Sequence, residues 1–162
     1  MAGRHDLPEV DPFTRTYWDA AAEGRLLIRR CGACGHAHHY PREFCPHCWS
    51  EDVTWERASG RATLYTWSVV HRNDLPPFTH RTPYVAAVVD LVEGPRMMTE
   101  IVTAGEAELP PGTEPVGQPA AGTEVEGGPV TVTELEGGLR AGTELEVVFR
   151  EGVPVFRVRG HA

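Results

Sequence analysis

All four cysteines of the chain lie in one stretch, RRCGACGHAHHYPREFCPHCWSED, as two C-x-x-C pairs separated by ten residues. Each pair lets two thiolates grip one ion from a tight turn, and two such turns complete a tetrahedral site of four sulfurs. Gly35 follows the first pair and Pro46 sits inside the second, both turn formers where backbone amides must curl toward sulfur. Cys31, Cys34, Cys45 and Cys48 are therefore the expected ligands of one zinc ion. With four protein ligands there is no open position for a water molecule, so the expected role of the metal is structural rather than catalytic. Iron accepts the same four thiolates and stays open as the ion of the isolated protein. A thioredoxin-type redox centre needs one pair in a βαβ setting, and the flanking sequence does not read that way. His36, His38, His39 and His47 crowd the same stretch; beside a filled tetrahedron they read as solvent-facing decoration.

The elements that must hold these turns follow from the flanking pattern. Asp11 suits a helix cap, Pro12 a first helical position and Gly24 a helix stop, so DPFTRTYWDAAAEG predicts a short helix. Its aromatic face, Phe13, Tyr17 and Ala21 with Trp18 beside them, must dock on something, because so short a helix is marginal alone. RLLIRRC leads into the first pair as a strand, and VTWERASG leaves the second as another. From Gly60 the period changes to two: RATLYTWSVVHR places Ala62, Leu64, Thr66 and Ser68 on one face and Thr63, Tyr65, Trp67 and Val69 on the other. NDLPPFTHRTP reads as a loop, YVAAVVDLV and PRMMTEIV as strands joined at Glu93–Gly94, and TELEVVFR with VPVFRVRG as a hairpin turning at Glu151–Gly152. Five strands after a metal module suggest a small OB-type barrel. Three units result: a helical segment at 1–24, a zinc ribbon at 25–57 and a barrel domain at 58–162. The barrel is interrupted at about 104–138 by a Gly-, Pro- and Glu-rich insertion in which PVTVTEL suggests an extra strand.

Charge narrows the partners. The 162 residues carry a formal net charge of -8, every basic residue is Arg, and the second half of the chain supplies the whole acidic excess. Such a surface repels phosphate backbones. No apolar run reaches the roughly 18 to 20 residues of a membrane span, and MAGRHDLPEVDP lacks the basic-then-apolar start of a signal peptide. The expected location is the cytoplasm, where thiols stay reduced and paired C-x-x-C turns serve metals rather than disulfides.

The order of these pieces resembles a known family. YWDAAAEGRLLIRRCGACG, then YPREFCPHCWSEDVTWERASGRATLYTWSVVHR, then PYVAAVVDLVEGPRMMTEIV and LRAGTELEVVF look like the DUF35 family of zinc-ribbon and OB-fold proteins. The resemblance covers residues 12–103 and 139–158, and is most specific in the EGRL lead-in, the P-R-x-x-C-P-x-C second turn and the opening barrel strand. It implies a mainly β protein: an N-terminal helix, a rubredoxin-like zinc ribbon with four cysteine ligands, and a five-stranded OB-fold barrel. It also implies an accessory subunit in a heteromeric complex with a thiolase-like or lipid-transfer-protein-type aldolase, or with a MaoC-like enoyl-CoA hydratase. Such complexes process acyl-CoA thioesters, including steroid side-chain intermediates. The long insertion at 104–138 departs from the family's pattern.

The residues themselves offer no readable catalytic pair. His71, Asp74, His80, Asp90 and Glu100 are the acids and bases at hand, and none stands at a recognisable spacing from another. The expectation is that a partner supplies the chemistry. Contact with that partner, or with acyl-CoA at the interface, is expected at Trp18 and along HRNDLPPFTHRTPY, where Arg72 and Arg81 suit a phosphate or carboxylate and Phe78 and Tyr84 offer apolar area. Two other readings stay open. A single-stranded nucleic-acid binder would stack bases on Tyr65, Trp67 and Tyr84 but lacks a basic groove. A stand-alone thioesterase or hydratase would use the barrel as its pocket.

Overall fold

The computed structural model describes residues 8–76, 78–103 and 132–160; most of the predicted acidic insertion, 104–131, lies outside them. The chain opens with helix α1 (Arg15–Ala22), followed by strands β1 (Leu27–Cys31), β2 (Ala37–His38) and β3 (Val53–Arg57). These three strands form an antiparallel sheet in the order β2-β1-β3. Strands β4 (Arg61–Val70), β5 (Tyr84–Leu91), β6 (Arg96–Ile101), β7 (Glu144–Arg150) and β8 (Val153–Val158) close into a barrel in the order β4-β5-β6-β8-β7. A single parallel bridge, Ile101 to Phe156, and the antiparallel β4–β7 pair complete the closure. The mainly β architecture with a five-stranded OB-like barrel is thus the one its sequence predicts.

Helix α1 starts later than its sequence suggests. The Asp11 carboxylate accepts the Thr14 amide at 2.6 Å and the Asp11 carbonyl accepts that of Arg15 at 3.0 Å, so Asp11 caps a turn that feeds the helix. Gly24, with φ of 74°, ends it as expected: the Gly24 and Arg25 amides donate back to Ala21 and Ala20. Tyr17, Ala20 and Ala21 are buried, and the helix packs on β1 and on β8, joining ribbon to barrel.

Inside the barrel, Val85, Val89, Leu145 and Phe156 have no exposed surface, and Leu64, Leu91, Met97 and Ile101 pack with them. The alternation predicted for β4 holds only to Leu64. A register shift between Leu64 and Thr66 leaves Tyr65 bulged and exposed. Beyond it the faces swap: Trp67 and Val69 pack on the core, and Thr66 and Ser68 point outward. The β7–β8 turn is a two-residue loop in which Glu151 and Gly152 both have positive φ, 50° and 78°, as the right-handed twist of a tight hairpin requires. Of the expected extra strand at PVTVTEL, 129–131 lie outside the described residues, and the rest opens helix α2 (Val132–Gly138) instead. Val132 and Leu135, three apart, turn one face onto the core, and the buried Leu139 follows, so the β-branched residues serve a helical period.

Gly60 joins ribbon to barrel at φ of 78°, and its carbonyl accepts the Val147 amide at 2.7 Å. A Cβ there would fall within the Val147 side chain, whereas one at Gly142, also at positive φ, would meet open space. Gly60→Ala should cost about 2–4 kcal/mol, the backbone penalty plus overpacking, and Gly142→Ala about 1–2 kcal/mol. Urea denaturation of the two variants measures the difference.

Candidate metal centre and the surfaces it positions

Cys31 ends β1 and Cys45 begins the second turn; both are buried, while Cys34 and Cys48 are exposed. Amides fold each turn around its sulfurs: Gly35 donates to the Cys31 carbonyl and Trp49 to that of Cys45, each at 2.9 Å, and the His47 amide lies 3.4 Å from Cys45 Sγ. The Sγ atoms of Cys31 and Cys48 are 3.6 Å apart, those of Cys34 and Cys45 3.7 Å, and all four lie within 4.8 Å of one another. A tetrahedron with zinc–sulfur bonds of about 2.3 Å has edges of about 3.8 Å, so the four thiols suit one zinc ion. Among the described residues no histidine belongs to this cluster. His36 and His47 stack on each other at 5.2 Å between ring centroids, exposed on the ribbon surface.

The other two histidines of the stretch do more than decorate. His38 is buried, and His39 faces α1, where its Nε2 lies 3.0 Å from the Tyr17 hydroxyl. Burial, aided by the neighbouring His38, pushes His39 down to about 4, and burial pushes Tyr17 upward. Both side chains are thus neutral near pH 7 and share one hydrogen bond between hydroxyl and ring nitrogen. The Trp18 indole donates to the Tyr40 hydroxyl at 2.9 Å. On the far side of the turn before α1, the Arg29 guanidinium lies 4.6 Å from the Trp55 ring and 5.3 Å from the Phe13 ring, and donates to the Val53 carbonyl at 2.9 Å. Helix, ribbon sheet and metal turns are therefore one packed unit.

His39 gives that unit an acid limit. Its folded pKa lies below the ordinary 6.5, so the unfolded chain binds the proton more readily between pH 6.5 and about 4. The stability from neutral His39 is complete above pH 6.5 and is lost as pH falls toward 4. His39→Gln should flatten this part of the wild-type stability profile, measured by denaturant titration at each pH with metal content followed in parallel.

Three of the five expected contact residues come together where the loop after β4 meets the start of β5. Phe78 and Tyr84 face each other at 5.9 Å, and the Arg81 guanidinium lies 5.0 Å over the Phe78 ring. Asn73 ties the loop, donating to the Tyr84 hydroxyl at 3.1 Å and accepting the Leu75 amide at 3.1 Å. Arg72 stands apart, exposed and paired with Asp74 at 3.2 Å, and Trp18 belongs to the Tyr17–Tyr40 cluster. Sequence reasoning missed what anchors Arg81: Glu100 accepts it at 2.6 Å and accepts Arg150 through both oxygens at 2.8 and 2.6 Å. Of the other acids considered for catalysis, Asp90 is held by Arg96, whose hydrogen bonds lower its pKa, and His71 and His80 are exposed.

Comparison with known proteins fits this geometry. Residues 18–54 match the family described as "ChsH2, rubredoxin-like zinc ribbon domain", and residues 55–150 match "ChsH2, C-terminal OB-fold domain". The chain belongs to the ChsH2/DUF35 family. It is 38% identical over 95 residues to a probable enoyl-CoA hydratase alpha subunit of Thermomonospora curvata, a match covering 59% of this chain and 29% of that protein. It is 40% identical over 89 residues to a DUF35 domain-containing scaffold protein of Methanocaldococcus jannaschii, covering 52% of this chain and 61% of that one. The chain therefore spans less than two thirds of either relative. Among solved structures, one described as the Ltp2-ChsH2(DUF35) aldolase superposes with a TM-score of 0.64 at 28% identity, covering 94% of this chain and 98% of the matched chain. The zinc ribbon of the ChsH2/DUF35 family corresponds to the segment that holds the four thiols. Among the described residues, no helix is long and apolar enough to cross a membrane.

Proposed function

We propose that the chain is a non-catalytic accessory subunit that binds and stabilises an acyl-CoA-processing enzyme, foremost a thiolase-like or lipid-transfer-protein-type aldolase. The observation that carries this reading is the near end-to-end match with one chain of the Ltp2-ChsH2(DUF35) aldolase. The hydratase relative matches over less than a third of its own length, which makes a MaoC-like hydratase the second choice of partner. The zinc is structural, and the partner supplies the base and nucleophile.

In this reading the Phe78–Arg81–Tyr84 loop and Arg72 at its edge form one contact region for partner or acyl-CoA, with Trp18 on a second. Arg81 is already held by Glu100, so its part is to brace the loop while exposed Arg72 meets the ligand. Single-stranded nucleic acid loses support because its stackers are engaged. Trp67 packs on the core, Arg96 covers the Tyr65 ring at 3.4 Å, and Tyr84 is bonded to Asn73. The test is co-expression of the chain with the thiolase-like and the MaoC-like enzymes of its own genome, followed by size-exclusion chromatography. A stoichiometric complex with one of them supports the reading, and separate elution from both removes it.

A further inference from the structure

The two metal turns share one backbone course but differ in the residue that follows the second cysteine. After the second cysteine of each pair the backbone must enter the left-handed region: Gly35 has φ of 73° and Trp49 has φ of 65°. Their amides make the same 2.9 Å bond, to the carbonyls of Cys31 and Cys45. Glycine takes this conformation without steric cost, whereas the Cβ of a bulky side chain crowds the backbone there. Folding does not repay Trp49, because 72% of its surface is exposed and its ring contact is Phe44, stacked at 5.2 Å and 22°. Strained residues of this kind cluster where function keeps them, and tryptophan is foremost among the residues that anchor interfaces.

Beside this pair an open cleft of about 600 Å³ runs between the turn before α1 and the lead-in to the second metal turn, lined by Phe13, Tyr40, Pro41 and Phe44. Phe44 thus belongs to both features and makes the apolar surface continuous. The exposed charges beside it in sequence, Glu43, Glu51 and Asp52, outnumber Arg42, and Asp11 adds a further acid at the cleft. A second copy of the chain docked here would set acid against acid. We propose that Trp49, backed by Phe44, is the anchor by which the chain seats in an apolar recess, rimmed by Arg or Lys, on its acyl-CoA enzyme. This rests on the subunit reading above and names the surface that serves it.

Trp49→Gly gives the second turn the residue that the first already uses, so fold and metal should persist. The experiment is isothermal titration of the purified full-length chain, wild type and Trp49→Gly, with the thiolase-like enzyme of the same genome, alongside zinc content and melting temperature. The expected result is an affinity weakened about thirtyfold, as for an interface tryptophan, with zinc retained and melting temperature no lower. Glu51→Lys should slow association and reduce its dependence on salt. A loss under tenfold for Trp49→Gly overturns the proposal while leaving the subunit reading intact. A wild-type chain that binds neither this enzyme nor the MaoC-like one removes both. A wild-type dimer that Trp49→Gly converts to monomer overturns the choice of occupant.

Discussion

Cys45→Ser is expected to release the zinc and unfold the ribbon together with α1, while the barrel persists. Cys45 has no exposed surface, and a hydroxyl neither reaches nor binds zinc as a thiolate does. Structural zinc contributes about 10–16 kcal/mol in small ribbons and fingers, far more than packing supplies in a three-stranded sheet whose β2 has two residues. Helix α1 should follow, because it loses β1 and the His39 partner of its Tyr17 hydroxyl, and contact with β8 alone does not hold so short a helix. Hydrogen exchange reads the outcome by segment. Fast exchange is expected across residues 15–57, with protection kept in β4 to β8. Native protection in a zinc-free Cys45→Ser chain would contradict the account.

Phe156→Ala should cost about 3–5 kcal/mol, a large share of the 5–15 kcal/mol that holds a domain folded. Phe156 has no exposed surface, pairs with Val147 across β7 and bridges Ile101 across the barrel seam; its carbonyl accepts the Val102 amide at 2.8 Å. Removing its ring empties the core at the place where the sheet closes. Val158→Ala, on the same strand but with 37% of the residue exposed, should cost under about 1 kcal/mol. Guanidinium titration of the two variants measures both, and equal midpoints would show that the seam is not where the barrel's stability resides.

The metal centre was legible in the sequence because its chemistry is local: two C-x-x-C turns carry ligand type, number and spacing together. The barrel was legible because inward and outward residues alternate, and because Glu93–Gly94 and Glu151–Gly152 mark its hairpins. What could not be read depends on three-dimensional neighbours. The bulge at Tyr65 reverses the faces of half a strand without changing the residue pattern. Strand β2 is two residues long and leaves no period to detect. Val132 and Thr133 read as strand formers, yet core packing three residues on, at Leu135, settles a helix. Glu100 holds the Arg81 guanidinium from nineteen residues away, a pairing that no local pattern announces. The left-handed backbone at Trp49 has no sequence signature, since the second metal turn shows it only by comparison with Gly35.

Division of labour between subunits is the central claim, and an acyl-CoA turnover assay on separated and reassembled chains tests it most directly. The chain alone, the thiolase-like enzyme alone and the reconstituted complex would be given the same acyl-CoA substrates at equal enzyme concentration. The account predicts no turnover by the chain alone, weak or short-lived activity by the enzyme alone, and sustained turnover by the complex that tolerates substitution of His71, Asp74 and His80. Turnover by the purified chain alone, abolished by changing one of its own acids or bases, would contradict it.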